Sequence, residues 1–148
     1  MLVFFLKELP RRRMIEGYAE QLAVDPVTIE NALIMMRRAS LMIRRLDAYF
    51  DRQGLSQLRF LFMIVIDREE DRDSLTVGEI TERLDVSGPV VARTLRTLLE
   101  DGLVSKTSDK TDSRIRHVGL TPLGKERLTF VMPGYFQIIA EEMEDHAP

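Results

Sequence analysis

The sequence predicts a mainly α-helical fold with one small β-hairpin, and three observations predict it. Long stretches repeat apolar residues at three- and four-residue steps, the mark of helices that bury one face. Two short helical patterns follow head to tail across the tight link Asp85-Val86. Two β-like runs come directly after them, residues 103–107 and 115–120, joined by a polar stretch at 108–114.

Length and composition bound the rest. A chain of 148 residues can bury one real core and is short for two domains. It is 45% apolar and 30% charged, ordinary for a soluble globular protein and too apolar for wholesale disorder. Cysteine is absent, which removes disulfides, cysteine zinc sites and thiol redox chemistry together. The apolar run Leu2-Val3-Phe4-Phe5-Leu6 has no basic residue before it and is shorter than a signal peptide's apolar region. No stretch approaches the roughly 20 apolar residues of a membrane span. A cytoplasmic protein without membrane contact is expected.

Taken in order, Leu9-Pro10 is the first turn signal, and a short helix is expected at 14–24. Asp25-Pro26 reads as an N-cap with proline in the first helical position. Behind it Ile29, Leu33, Met36, Ser40, Ile43, Leu46 and Phe50 form the longest periodic face, with Arg37, Arg38, Arg44 and Arg45 opposite. Gly54 ends this helix. Ser56 caps the next, at 57–67, whose run from Phe60 to Ile66 is apolar all round and so predicts burial. The charged residues 67–73 read as a solvated connection.

Thr76 then caps a short helix with Val77, Ile80 and Leu84 inward, and Glu79 stands three residues on, as a capping box requires. Ser87 is a second N-cap with Pro89 in the first turn, and the following helix stops at Gly102. After the hairpin, Thr121-Pro122 opens a last helix with Leu128, Val131, Phe136, Ile139 and Met143 as its apolar positions. Pro133-Gly134 is expected to kink or interrupt it. This is the order of a winged helix-turn-helix. The lobe falls at 54–121, long dimerisation helices flank it at 25–53 and 122–148, and an arm of open role precedes them at 1–24.

A helix that reads a DNA major groove must bury one face on its own domain and offer the other outward. With Arg93 at zero and roughly 100° per residue, Val91, Leu95, Leu98 and Leu99 cluster near the opposite pole, at about 140–240°. Pro89, Arg96 and Thr97 fall within about 60° of Arg93. Arginine pairs bidentately with guanine edges, and the Ser87 and Thr97 hydroxyls suit phosphate or base. At the hairpin tip, Asp112-Ser113-Arg114 with Lys110 and Arg116 forms a cationic point suited to a narrow minor groove, Asp112 orienting an arginine. A solvated helix face and an ordinary charged turn account for the same residues. The net charge of −3 offers a DNA ligand little, and the excess is local. Between Ser87 and Arg116 six basic residues (Arg93, Arg96, Lys106, Lys110, Arg114, Arg116) face four acidic ones (Glu100, Asp101, Asp109, Asp112).

At these residues the chain resembles the multiple antibiotic resistance regulator (MarR) family. The resemblance is carried by Leu75-Thr76-Val77-Gly78-Glu79-Ile80, by residues 84–96, and by Leu99-Glu100-Asp101-Gly102-Leu103-Val104. Asp112-x-Arg114 running on to Val118-x-Leu120-Thr121-x-x-Gly124 is its most specific part, and Gly54-Leu55-Ser56-Gln57 extends it, to cover roughly 25–143. The resemblance implies that Ser87, Gly88, Pro89, Arg93 and Arg96 lie at the recognition helix and that Arg114 is the wing's minor-groove arginine. It implies a homodimer through intertwined first and last helices. It further implies a repressor of double-stranded, pseudo-palindromic operator DNA, released by a small aromatic or phenolic ligand in the cleft beside the dimerisation helices. Arg45, Tyr49 and Phe60 lie on helices that would border such a cleft, although residues at those spacings also serve as plain core or solvated face. The arm at 1–24 is longer than many members carry.

Two rival readings remain. An enzyme finds little support: His117 and His146 have no metal-ligand spacing, no glycine-rich phosphate loop or Gly-x-Ser-x-Gly elbow appears, and no cofactor or metal site is expected. A winged helix used only for protein–protein contact is the other, and the modest charge excess leaves room for it.

Overall fold

A computed structural model describes Phe4 and residues 6–144. Most of the N-terminal apolar run, Asp145 and His146 lie outside the described residues. The elements are α1 (Arg12–Leu22), α2 (Pro26–Arg52), α3 (Gln57–Asp67), β1 (Ser74–Thr76), α4 (Val77–Arg83), α5 (Gly88–Glu100), β2 (Val104–Ser108), β3 (Arg116–Leu120) and α6 (Pro122–Glu144). They divide into two compact units, one running to Ala48 and resuming at Ile138, the other spanning Tyr49–Gln137.

The Tyr49–Gln137 unit holds the winged helix. This unit begins at Tyr49 because the last turns of α2 deliver Phe50 into its core. Phe50, fully buried, meets Phe60 of α3 at 4.8 Å between ring centroids, and Phe60 meets Tyr135 of α6 at 4.7 Å. Helix α5 packs against α3, α4 and β2. The Arg59 guanidinium of α3 donates to Asp101 at 2.9 Å and so anchors the end of α5. The sheet has the order β1-β3-β2, all antiparallel. Strand β3 is central, with Val118 opposite Leu75 on one side and Lys106 on the other. Strand β1 is not legible as a strand, because its three residues carry a single buried side chain, Leu75, after a charged run.

Local chemistry explains the junctions. Gly54 and Gly102 take φ values of +69° and +70°, a region where a Cβ is strained. Thr121 ties the start of α6 to the turn before β2: its N–H donates to the Leu103 carbonyl at 3.1 Å, its hydroxyl donates to the Gly102 carbonyl at 2.6 Å, and it accepts from the Gly124 N–H at 3.0 Å. Any Cβ at Gly124 would overlap the Leu103 backbone, which is why glycine closes the Leu-Thr-x-x-Gly motif.

Three expectations about α1 and α6 need correction. Helix α1 spans Arg12–Leu22 rather than 14–24, because Ala23 turns left-handed (φ 53°) and its N–H closes on the Ala19 carbonyl. Helix α6 is not interrupted at Pro133; Gly134 beside it makes room for the Tyr49 ring, and the Tyr49 hydroxyl donates to the Val131 carbonyl at 2.7 Å. The inward stripe of α6 runs through Leu128, Val131, Tyr135 and Ile138, in three- and four-residue steps, and this leaves Phe136 and Met143 exposed.

In the other unit, Asp25 caps α2 through its carboxylate, which accepts the Thr28 N–H at 3.2 Å. Ile15 and Ala19 of α1 are buried. The N–H of Phe4 donates to the buried Ser40 hydroxyl at 3.1 Å, and Arg44 donates to the Phe4 carbonyl at 3.0 Å, so both backbone polar groups of Phe4 bind α2. Ile29 and Met36, expected inward, are exposed, as are Tyr18 (67%), Leu22 (70%) and Met35 (66%).

The capping box at α4 forms as its residue types predict: the Thr76 hydroxyl accepts the Glu79 N–H and the Glu79 carboxylate accepts the Thr76 N–H. The charged connection before it is more than solvated. Arg72 donates to Glu79 at 3.2 Å, and Arg83 pairs with Glu69 at 2.9 Å. Arg72 above all, then the Thr76 N–H, holds the Glu79 carboxyl at about 2, against an ordinary 4.5. A depressed folded value means that this stabilisation is complete above about pH 4.5 and is lost as pH falls toward 2. Thermal unfolding midpoints should therefore fall across that window. Glu79→Gln, which keeps an acceptor for the capping box, should flatten the fall; an unchanged pH profile in that variant would remove Glu79 from the account.

Candidate functional site

Helix α5 sorts its side chains as its period requires. Val91, Thr94, Leu95 and Leu98 are buried, while Ser87, Gly88, Pro89, Ala92, Arg93 and Arg96 are exposed. Thr94 was not singled out from sequence; its hydroxyl satisfies itself on the Val90 carbonyl at 2.8 Å, which lets a polar residue lie inward. Thr97 is half-buried and donates to the Arg93 carbonyl at 3.2 Å, so its proton stays within the helix. Ser87 has the extended backbone of an N-cap but makes no side-chain cap bond. Its hydroxyl is thus not committed to the first turn of α5. The outward surface is a short cationic ridge ending at a helix N-terminus.

The wing supplies a second cationic point. The Arg114 side chain is 89% exposed, and the Asp112 carboxylate fixes it in a fork, accepting from Nε and Nη2 at 3.1 Å each and from the Arg114 N–H at 3.0 Å. The same fork, led by the guanidinium, holds the Asp112 carboxyl below its ordinary range and pushes Arg114 further up. Such a pair is aimed as well as charged. Arg116 donates to the Ser108 hydroxyl across the hairpin, and Lys110 is exposed beside the tip. A groove of about 370 Å³ lies between Thr76-Val77-Gly78 and Arg114-Ile115-Arg116. The structure thus brings Lys110, Asp112, Arg114 and Arg116 together on one hairpin.

Sequence reasoning counts Asp109 only as one of four acidic residues and finds no metal-ligand spacing at His117. They meet: His117 Nε2 lies 2.8 Å from Asp109 Oδ1, joining β3 to the start of the loop. The available signal was Asp-x-Thr at a turn, a pattern in which the carboxylate caps N–H groups two residues on.

Arg45, Tyr49 and Phe60 are each engaged within the protein. Arg45 binds Glu141 and donates to Glu142 at 3.1 Å, Tyr49 bonds to Val131, and Phe60 sits in the aromatic core. Among the described residues no group of three or more His, Cys, Asp or Glu side chains is placed to hold a metal ion, and no helix is long and apolar enough to cross a membrane.

Residues 53–115 match the model of the MarR family. The HTH-type transcriptional repressor YetL of Bacillus subtilis (strain 168) is 32% identical over 144 residues, a span of 96% of this chain and 85% of that protein. This chain belongs to the MarR family. It is therefore a transcriptional regulator and not an enzyme. The fold agrees with other MarR structures. AbsC, a MarR family regulator from Streptomyces coelicolor, superposes with a TM-score of 0.71 at 16% identity, covering 78% of this chain and 77% of its own. The S. aureus MepR–DNA complex gives 0.69 at 18%, covering 78% and 84%. Sco3205 of S. coelicolor, in complex with DNA, gives 0.70 at 19%, covering 77% and 71%.

Proposed function

We propose that this MarR-family chain is a sequence-specific DNA-binding repressor that works as a homodimer on a pseudo-palindromic operator. The observation that carries the reading is the pairing of two outward cationic surfaces in one compact unit: Arg93 and Arg96 exposed on α5, and the Asp112–Arg114 fork at the wing tip. In this reading α5 enters the major groove with Ser87, Gly88, Pro89 and Thr97 along the backbone, and the wing follows the minor groove with Lys110 and Arg116 on phosphates. The DNA complexes of MepR and Sco3205, and the repressor name of YetL, support it by kinship. Residues 54–121 would form the lobe that binds DNA. Dimerisation is assigned to 25–53 and 122–148, with the 1–24 arm adding Tyr18 and Leu22 to an apolar surface that a lone protomer leaves uncovered.

The effector in this reading is a small, largely apolar aromatic acid that binds the DNA-free state more tightly and so releases the operator. A cavity of about 450 Å³ lined by Ile34, Met35, Ala39, Met42 and Met143, with Arg38 at its edge, has suitable chemistry. A ligand at Arg45 would have to displace Glu141 and Glu142.

One titration series tests the whole reading. Sedimentation should show two protomers at micromolar concentration, and affinity for a duplex selected from a random pool should fall steeply with salt. Aromatic acids should lower that affinity by about 5–150-fold. A monomer alone would end the dimer. Salt-independent or absent DNA binding would leave a winged helix used for protein contact. An acid that stabilises the protein without moving DNA affinity would refute the coupling.

A further inference from the structure

The wing carries two carboxylates within four residues, Asp109 and Asp112, in a loop read here as approaching phosphates. Asp112 has its arginine. Asp109 touches no cation of the wing tip, and its role is written in its partners. Its Oδ2 accepts from the Thr111 N–H at 2.9 Å, the Thr111 hydroxyl at 2.6 Å and the Asp112 N–H at 3.1 Å. Its Oδ1 meets His117 Nε2 at 2.8 Å. One side chain thereby ties the loop to β3, the central strand, and fixes the backbone of the residue that grips Arg114. The loop is closed by two further bonds, Asp109 N–H to the Ile115 carbonyl at 2.9 Å and Ile115 N–H to the Asp112 carbonyl at 3.0 Å. The same donors, the Thr111 hydroxyl first and His117 next, hold the Asp109 carboxyl well below the usual carboxylate range, so it stays an acceptor at any physiological pH.

We propose that Asp109, anchored on His117, is a positioning residue that fixes the wing loop so that the Asp112–Arg114 fork is presented to DNA in one orientation. This rests on the reading of Arg114 as a DNA contact. The physical logic is pre-organisation. A side chain as exposed as Arg114 samples many rotamers unless its partner is held, and Asp112 is held through its N–H by Asp109. The proposal also makes a prediction opposite to simple charge. Removing a carboxylate near phosphates should tighten binding if only net charge matters, whereas losing the loop's anchor should weaken it.

The test uses the full chain and a duplex selected by it from a random pool, with unfolding midpoints recorded for every variant. Asp109→Ala is expected to weaken binding about five- to twentyfold, comparable with losing a hydrogen bond and the order it imposes. Asp109→Asn, which keeps an acceptor for the loop N–H groups, should recover most of the affinity. His117→Gln, which keeps a nitrogen donor for Asp109, should bind better than His117→Ala. In an Arg114→Ala background, Asp109→Ala should change affinity by less than about twofold, because the group it positions is gone. Affinity unchanged or tightened by Asp109→Ala overturns the proposal, and so does the same fold-loss with and without Arg114. If Arg114→Ala alone leaves affinity for selected and unrelated DNA unchanged, it is the DNA role of Arg114 that fails.

Discussion

Alanine at Arg93 or Arg96 is expected to cost about 1–3 kcal/mol of operator affinity per half-site and to blur the base preference where that arginine reads. Both side chains stand exposed on the face of α5 opposite Val91, Leu95 and Leu98. Their loss should therefore leave the fold intact and act on binding. In a homodimer each substitution occurs twice, so the operator loses both contacts, and the combined effect spans about thirtyfold to twenty-thousandfold at ~1.4 kcal/mol per decade. Unrelated DNA should lose much less, only the phosphate share. Competition titrations against permuted operators would measure it. A variant that weakens all sequences equally would move that arginine from bases to phosphates.

The second large effect is on stability. Phe60→Ala is expected to destabilise the chain by about 3–5 kcal/mol, the usual cost of emptying a large aromatic site in a core. Phe60 is 1% exposed and meets both Phe50 and Tyr135. It therefore joins the end of α2, the body of α3 and the middle of α6, and partial collapse cannot fill the gap from one side. Urea unfolding should show the lower midpoint. A loss below about 1 kcal/mol would mean that the neighbours close over the site, which close-packed interiors rarely permit.

What was legible in the sequence was what neighbours in the chain determine. Asp25, Ser56 and Thr76 each cap the helix that follows them, and Gly54 and Gly102 end helices, because those geometries need only three or four adjacent residues. The burial of Val91, Leu95 and Leu98 followed from period alone. Pairings across the chain were not legible. Leu75 becomes a strand residue only because Val118 lies opposite it. Asp109 and His117, eight residues apart, meet only once the hairpin register sets Ser108 against Arg116. The stripe of α6 was misplaced at Phe136, since Tyr135 is drawn inward by Phe50 and Phe60, rings contributed by other helices. For the candidate site, Arg93, Arg96 and Arg114 could be named from spacing and motif, but the fork on Asp112 could be measured only in three dimensions.

The clamp of Thr121 on the Gly102 and Leu103 carbonyls, with Gly124 pressed against Leu103, has a dynamic consequence. It leaves the root of the hairpin no slack, because the turn before β2 and the first turn of α6 share their hydrogen-bonding groups. Whatever motion the Asp109 anchor leaves to the wing is then confined beyond Ser108 and Arg116, to the seven residues 109–115. Backbone order parameters should stay near those of a helix up to Ser108, and Asp109→Ala should lower them only past it. A finger hinged so close to its tip sweeps a small arc, and on the proposed reading most of its search for a groove is completed before any DNA arrives.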